Sequence, residues 1–153
     1  MLWLIPAYEY HFIDGVNLAL HEAGHLFLGF FGQTVHVLGG TLVQLFFPAA
    51  CAYHFSARKE RFEASLMTLW FAESLMYTAR YLGDARAQQL PLVGGHSHDW
   101  HWLLSKAGLL NWCEEISGTL HAAASGLALA ALAKAARQAF AQPKPQPAEA
   151  QSQ

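Results

Sequence analysis

Four apolar stretches set the frame for this chain: residues Phe12–Phe31, Val35–Phe55, Phe62–Leu82 and Ile116–Phe140, each 20 residues or longer. A helix of that length spans a bilayer, and no segment alternates with the period of two that a half-buried strand requires. The pattern predicts an all-α protein, a compact bundle of four to five hydrophobic helices that is membrane-embedded. Hydrophobic residues make up 54% of the 153-residue chain and charged residues 13%, about half the usual charged share. The stretches are not purely apolar. The first holds Asp14, His21, Glu22 and His25, and the third holds Glu63, Glu73 and Arg80. Such residues are costly in lipid unless they face one another inside the bundle. Arg58, Lys59 and Arg61 follow the second stretch, and Lys134, Arg137 and Lys144 lie around the end of the fourth. Four crossings would put both basic clusters on one side, as the positive-inside rule asks. The alternative is a cytoplasmic bundle with an unusually apolar interior.

Within this frame the second stretch reads as two shorter pieces or a kinked helix, because it contains Gly39-Gly40 and Pro48. Gly32 is a helix stop, residues 83–98 form a loop, and Asp99 is the expected N-cap of a short helix from Trp100 to Ala107. Residues 1–141 form a single helical domain, and residues 142–153, rich in Pro, Gln, Ala and Ser, read as a disordered tail. The N-terminus lacks the basic region and long apolar run of a cleaved signal. Cys51 and Cys113 are isolated and are expected to be free thiols. A net charge of −2 with no basic stripe argues against a nucleic-acid partner.

Nine histidines are the compositional anomaly, and they lead to the chemistry. His21-Glu22-Ala23-Gly24-His25 is an HExxH sequence on the first stretch. On a helix, His21 and His25 project from one face a turn apart and can bind a single Zn2+, while Glu22 lies beside it as a general base for water. Chance would produce ~0.03 such matches in a chain of this composition. Asp14, on about the same face as His21, is an expected acceptor behind the ligands. The third ligand must come from elsewhere. His98, held by the helix that follows it, ranks first, Asp84 second and Glu73 third. Glu73, Tyr77, Arg80 and Asp84 form one polar stripe on the third stretch. His96, His98, Asp99 and His101 crowd six residues with metal-capable groups, of which His96 and His101 read as solvated. With antiparallel neighbours, the HExxH sequence, Gly39-Gly40, Asp84 and His98 gather at one end. There the glycines would let backbone approach a substrate, with Gln44 as a hydrogen-bond donor and Asp99 nearby.

These residues resemble the site-2-protease-like intramembrane metallopeptidases, which carry HExxH on a hydrophobic helix and take an aspartate ligand from a later one. The resemblance rests on His21–His25, with Asp84 as the aspartate it implies; that family reads Leu-Asp-Gly where this chain has Leu82-Gly83-Asp84. The chain also resembles small bacterial proteins with the blocks His-Glu-x-Gly-His, Gly-Gly…Gln…Pro, Asp-Ala-Arg and His-Asp-Trp. Here these are His21–His25, Gly39-Gly40 with Gln44 and Pro48, Asp84-Ala85-Arg86, and His98-Asp99-Trp100. The first resemblance implies a zinc-dependent hydrolase, a metallopeptidase with a peptide or protein substrate. With 153 residues leaving little room for a substrate-selecting domain, selection is expected to lie with a partner protein. The competing expectation is a non-catalytic helical membrane or adaptor protein, with His21, His25, His98 and Asp84 closing the shell of a structural zinc. A further alternative makes the His96–His101 loop a metal sensor.

Overall fold

The computed structural model describes residues 11–93 and 97–141, and these residues are helical or in turns, without strand. The order is α1 (Phe12–Leu28), a 3-10 turn (Gly29–Phe31), α2 (Gln33–Ala57), α3 (Arg61–Gly83), α4 (Asp99–Ala107), a second 3-10 turn (Leu110–Trp112) and α5 (Cys113–Ala139). The all-α expectation is met. The expected tail and His96 lie outside the described residues.

Gly32 separates α1 from α2 at φ +90°, a conformation that side-chain-bearing residues rarely adopt, so the chain reverses there. α2 packs on α1 and α3, and α3 packs along α5. The α3–α5 contact is built mostly on alanine: Ala72 and Met76 meet Ala124 and Ala128. A second apolar cluster of Leu82, Ala85, Leu104 and Cys113 fastens α4 to the ends of α3 and α5. Cys51 and Cys113 are both free thiols.

Of the two readings of the second stretch, two shorter pieces is ruled out: α2 is one continuous helix with Gly39, Gly40 and Pro48 inside it, all three buried. The glycines serve a helix crossing rather than a turn. A Cβ on Gly24 of α1 would lie 2.1 Å from the Gly39 carbonyl oxygen, so the two helices touch backbone to backbone. The cap of α4 is His98, one residue earlier than the expected Asp99; its Nδ1 accepts from the His101 N–H at 3.3 Å. With the cap filled by an imidazole, the Asp99 carboxylate is released to point elsewhere.

Many buried residues are small or polar, and many large apolar side chains are exposed. Among the described residues, eight of the thirteen buried apolar ones are alanine, while the largest fully buried side chains include His98, Gln44, Glu73, Asn17 and Asp14. Large apolar residues face outward, with Phe12 at 89%, Phe30 at 91%, Phe46 at 70% and Tyr53 at 77% exposure. α2 and residues Leu110–Ala139 are long and apolar enough to cross a membrane, and only 33% and 17% of their most apolar windows is buried. Among the described residues, these two meet that criterion where the sequence pattern suggested four. α1 is 17 residues long, and α3 carries Glu63, Glu73 and Arg80.

Candidate metal centre

α1 is amphipathic in an unusual sense, because its buried face is polar: Asp14, Asn17 and His21, with Gly24 where α2 crosses. His21 and His25, one turn apart, present their rings edge to face with centroids 4.8 Å apart. Gly40 makes room for both. A Cβ there would lie 2.6 Å from His21 Nε2 and 2.7 Å from His25 Nε2.

Asp99, the first residue of α4, completes the group. Its Oδ2 lies 2.9 Å from His21 Nε2 and 3.1 Å from His25 Nε2. The three ligand atoms fall within 4.8 Å of one another, a grouping that could hold a metal ion. The backbone N–H of Asp99 donates to Tyr81 Oη at 3.1 Å, which fixes the start of α4 against α3. Burial alone would push the Asp99 carboxyl up, but its hydrogen bonds with His21 and His25 outweigh this and hold it at about 2. It is therefore a carboxylate throughout the physiological pH range.

The tautomers of the two histidines are set from behind. Gln44 donates its amide to the Ser74 carbonyl at 3.3 Å, an acceptor-only group, so its Oε1 faces His21 Nδ1 at 3.3 Å. His25 Nδ1 faces the His36 carbonyl oxygen at 2.8 Å, and His36 Nδ1 returns the bond to the His25 carbonyl at 3.0 Å. Each Nδ1 therefore carries a proton. In a neutral imidazole that leaves a lone pair on Nε2, aimed at the same carboxylate oxygen. Lone pairs facing an anion repel. A proton on Nε2 removes the conflict, making the hydrogen bonds that hold Asp99 down and push His25 up, and a metal cation in its place would remove it as well. The donor set of two imidazole nitrogens and one carboxylate oxygen fits a divalent transition ion. Gln44→Leu removes the partner of His21 Nδ1. It should weaken metal affinity about 10- to 100-fold with helix content unchanged, measured by competition with a chromophoric chelator.

The other expected ligands are placed differently. His98 does not reach the two imidazoles: Tyr81 stacks on its ring at 4.1 Å, and its Nε2 is 3.5 Å from Asp84 Oδ2. Burial pushes the His98 imidazole down, toward the neutral form that its capping role requires. Asp84 accepts the backbone N–H groups of Gln89 and Leu90 at 2.9 and 3.0 Å, holding the loop after α3. Glu73 accepts from Asn17 at 2.7 Å, deep between α1 and α3. Asp14 accepts from the His11 N–H rather than standing behind His21. His101 Nδ1 lies 2.8 Å from the Ala85 carbonyl. His36 and Tyr81 are not legible in the sequence, because their roles depend on contacts between separate helices and leave no local spacing to read.

A cavity of about 700 Å³ opens in front of the group, lined by His21, Glu22, His25 and Asp99 together with Tyr77, Arg80 and Tyr81. Its apolar wall is Leu18, Val37 and the segment Leu90–Val93. Glu22 thus shares one chamber with the three ligand atoms, and Tyr77 and Arg80 of the polar stripe face it too. Compared with family models, curated proteins and solved structures, the chain matches none.

Proposed function

We propose that this protein is a membrane-embedded, zinc-dependent hydrolase, a metallopeptidase that acts on an apolar peptide or protein segment. The observation that carries the reading is the locked pair of imidazoles, whose Nε2 atoms converge with Asp99 Oδ2 on the wall of the cavity that Glu22 also lines. Three protein ligands facing an open chamber are the arrangement of a catalytic zinc, whereas a structural zinc has four. His98 and Asp84, which a closed shell would need, are engaged with each other and with the loop.

Zinc bound there would supply Lewis acidity toward water and a carbonyl group. Glu22, the carboxylate on the cavity wall that is not one of the three grouped ligands, would accept the proton of the attacking water. Asp99, already ionised, offsets part of the cation's charge. Tyr81 Oη accepts from the Asp99 N–H and so keeps its own proton for a group in the cavity. The outward Phe, Leu and Tyr side chains favour a lipid setting, where the apolar wall of Leu90–Val93 would meet a hydrophobic substrate. A partner protein that presents the substrate to this cavity is part of the proposal.

Purified protein in detergent should cleave labelled apolar peptides. Treatment with 1,10-phenanthroline should abolish cleavage, and added Zn2+ should restore it. Cleavage indifferent to the chelator would refute the reading.

A further inference from the structure

Away from the metal centre, a second group of ionisable side chains lies wholly inside the helices. Asp14 on α1 is 0% exposed and Glu73 on α3 is 2% exposed. One oxygen of each is engaged: Asp14 Oδ2 accepts from the His11 N–H at 2.6 Å, and Glu73 Oε2 accepts from Asn17 Nδ2 at 2.7 Å. Asn17 cannot turn its amide around, because its Oδ1 already accepts from Trp70 Nε1 and Ser74 Oγ, both at 3.0 Å. The remaining oxygens, Asp14 Oδ1 and Glu73 Oε1, are buried without a hydrogen-bond partner. The two carboxyl groups nevertheless interact with each other.

Two adjacent carboxylates cannot both stay ionised in a dry interior without a cation. The groups around the pair are the titratable His11, which caps α1 and bonds Asp14, Asn17 from α1, and Trp70 and Ser74 from α3, with Phe47 of α2 against the Trp70 ring at 5.7 Å. No lysine, arginine or histidine side chain is among the groups acting on Glu73. A metal ion is a poor occupant, since only two oxygens are unengaged and hard cations take six or more. One proton turns two unsatisfied acceptors into a donor and an acceptor.

We propose that Asp14 and Glu73 form a proton-binding site, holding one proton between Asp14 Oδ1 and Glu73 Oε1 at neutral pH and thereby clamping α1 to α3. The clamp bears on the metal centre through its neighbours. Asn17 lies one turn before His21, and the Ser74 carbonyl that anchors Gln44 belongs to the residue whose hydroxyl anchors Asn17. The proton comes from solvent when the helices assemble and returns there when they separate. The site does not depend on the hydrolase reading and is open to test in metal-free protein.

Infrared difference spectroscopy of the full chain in lipid should show the carbonyl stretch of a protonated carboxylic acid at neutral pH. That band should vanish in Asp14→Asn and in Glu73→Gln. Glu73→Gln supplies the missing donor from its own amide, so it should fold. A native state that binds an extra proton loses stability as pH rises, so wild type should melt lower under alkaline conditions. Glu73→Gln should lack that part of the alkaline loss. A folded wild type without the band at neutral pH would overturn the proposal, and so would an identical alkaline loss in Glu73→Gln. If neither variant folds, the wild-type band still decides the matter: it must be present at neutral pH and titrate away on alkalinisation.

Discussion

Glu22→Gln should bind metal like wild type and hydrolyse peptide about 10²- to 10⁴-fold more slowly, the usual contribution of a positioned general base. At about 1.4 kcal/mol per tenfold, the substitution removes roughly 3–5 kcal/mol of transition-state stabilisation. The amide keeps the size and position of the carboxyl but cannot take a proton from water. Glu22 is not one of the three grouped ligand atoms, so metal content should be unaffected. Turnover measured at matched metal occupancy checks this. Equal rates in the two proteins would remove Glu22 from the mechanism and favour a non-catalytic metal site.

The second large effect is structural. Gly24→Ala would place a methyl group 2.1 Å from the Gly39 carbonyl oxygen and 2.9 Å from the Gly40 Cα. Both are backbone atoms of α2, so no side chain can move aside and the helices themselves must part. Overpacking of this kind costs about 3 kcal/mol or more when the obstruction is backbone. In a domain of this size that corresponds to roughly 6–12 °C in thermal midpoint. Gly118→Ala on α5 is the control, because its Cβ would meet nothing within 4 Å. It should leave the midpoint unchanged or slightly raised, as alanine is the better helix former. Gly40→Ala separates fold from site. Its methyl would meet the His21 and His25 rings rather than backbone, so the protein should remain helical and bind metal poorly. Thermal melts of the three variants beside wild type decide among these outcomes.

The parts of the molecule that sequence made visible are those governed by local rules. His21 and His25 share a face because a helix turns once in 3.6 residues, and the apolar stretches specified helices because nothing in them alternated. Contacts between helices were less legible. Asp99 follows a loop and starts a helix, which is what an N-cap looks like, and only the ring of His98 in the capping place shows why it is free to face the histidines. Gly39-Gly40 reads in the sequence as a break or as room for a substrate, and only Gly24 seen against it shows a helix crossing. Asp14 and Glu73 each looked like a metal-site residue because polar groups on apolar helices must face something polar. They interact with each other inside the bundle, and the spacing along either helix could not reveal a partner nearly 60 residues away.

The most direct test of the metal centre is metal content by mass spectrometry on purified wild type beside His21→Ala, Asp99→Ala, Asp84→Ala and His98→Ala. The account predicts about one zinc per chain in wild type, lost with His21 and Asp99 and retained with Asp84 and His98, as a site of two imidazoles and one carboxylate requires. Full zinc in Asp99→Ala, with loss in Asp84→Ala or His98→Ala, would contradict the assignment of the third ligand. Iron in place of zinc would contradict the hydrolase, since two histidines and a carboxylate with open positions also suit iron(II) oxygen chemistry. A folded, metal-free wild type that does not take up zinc would contradict the central claim itself.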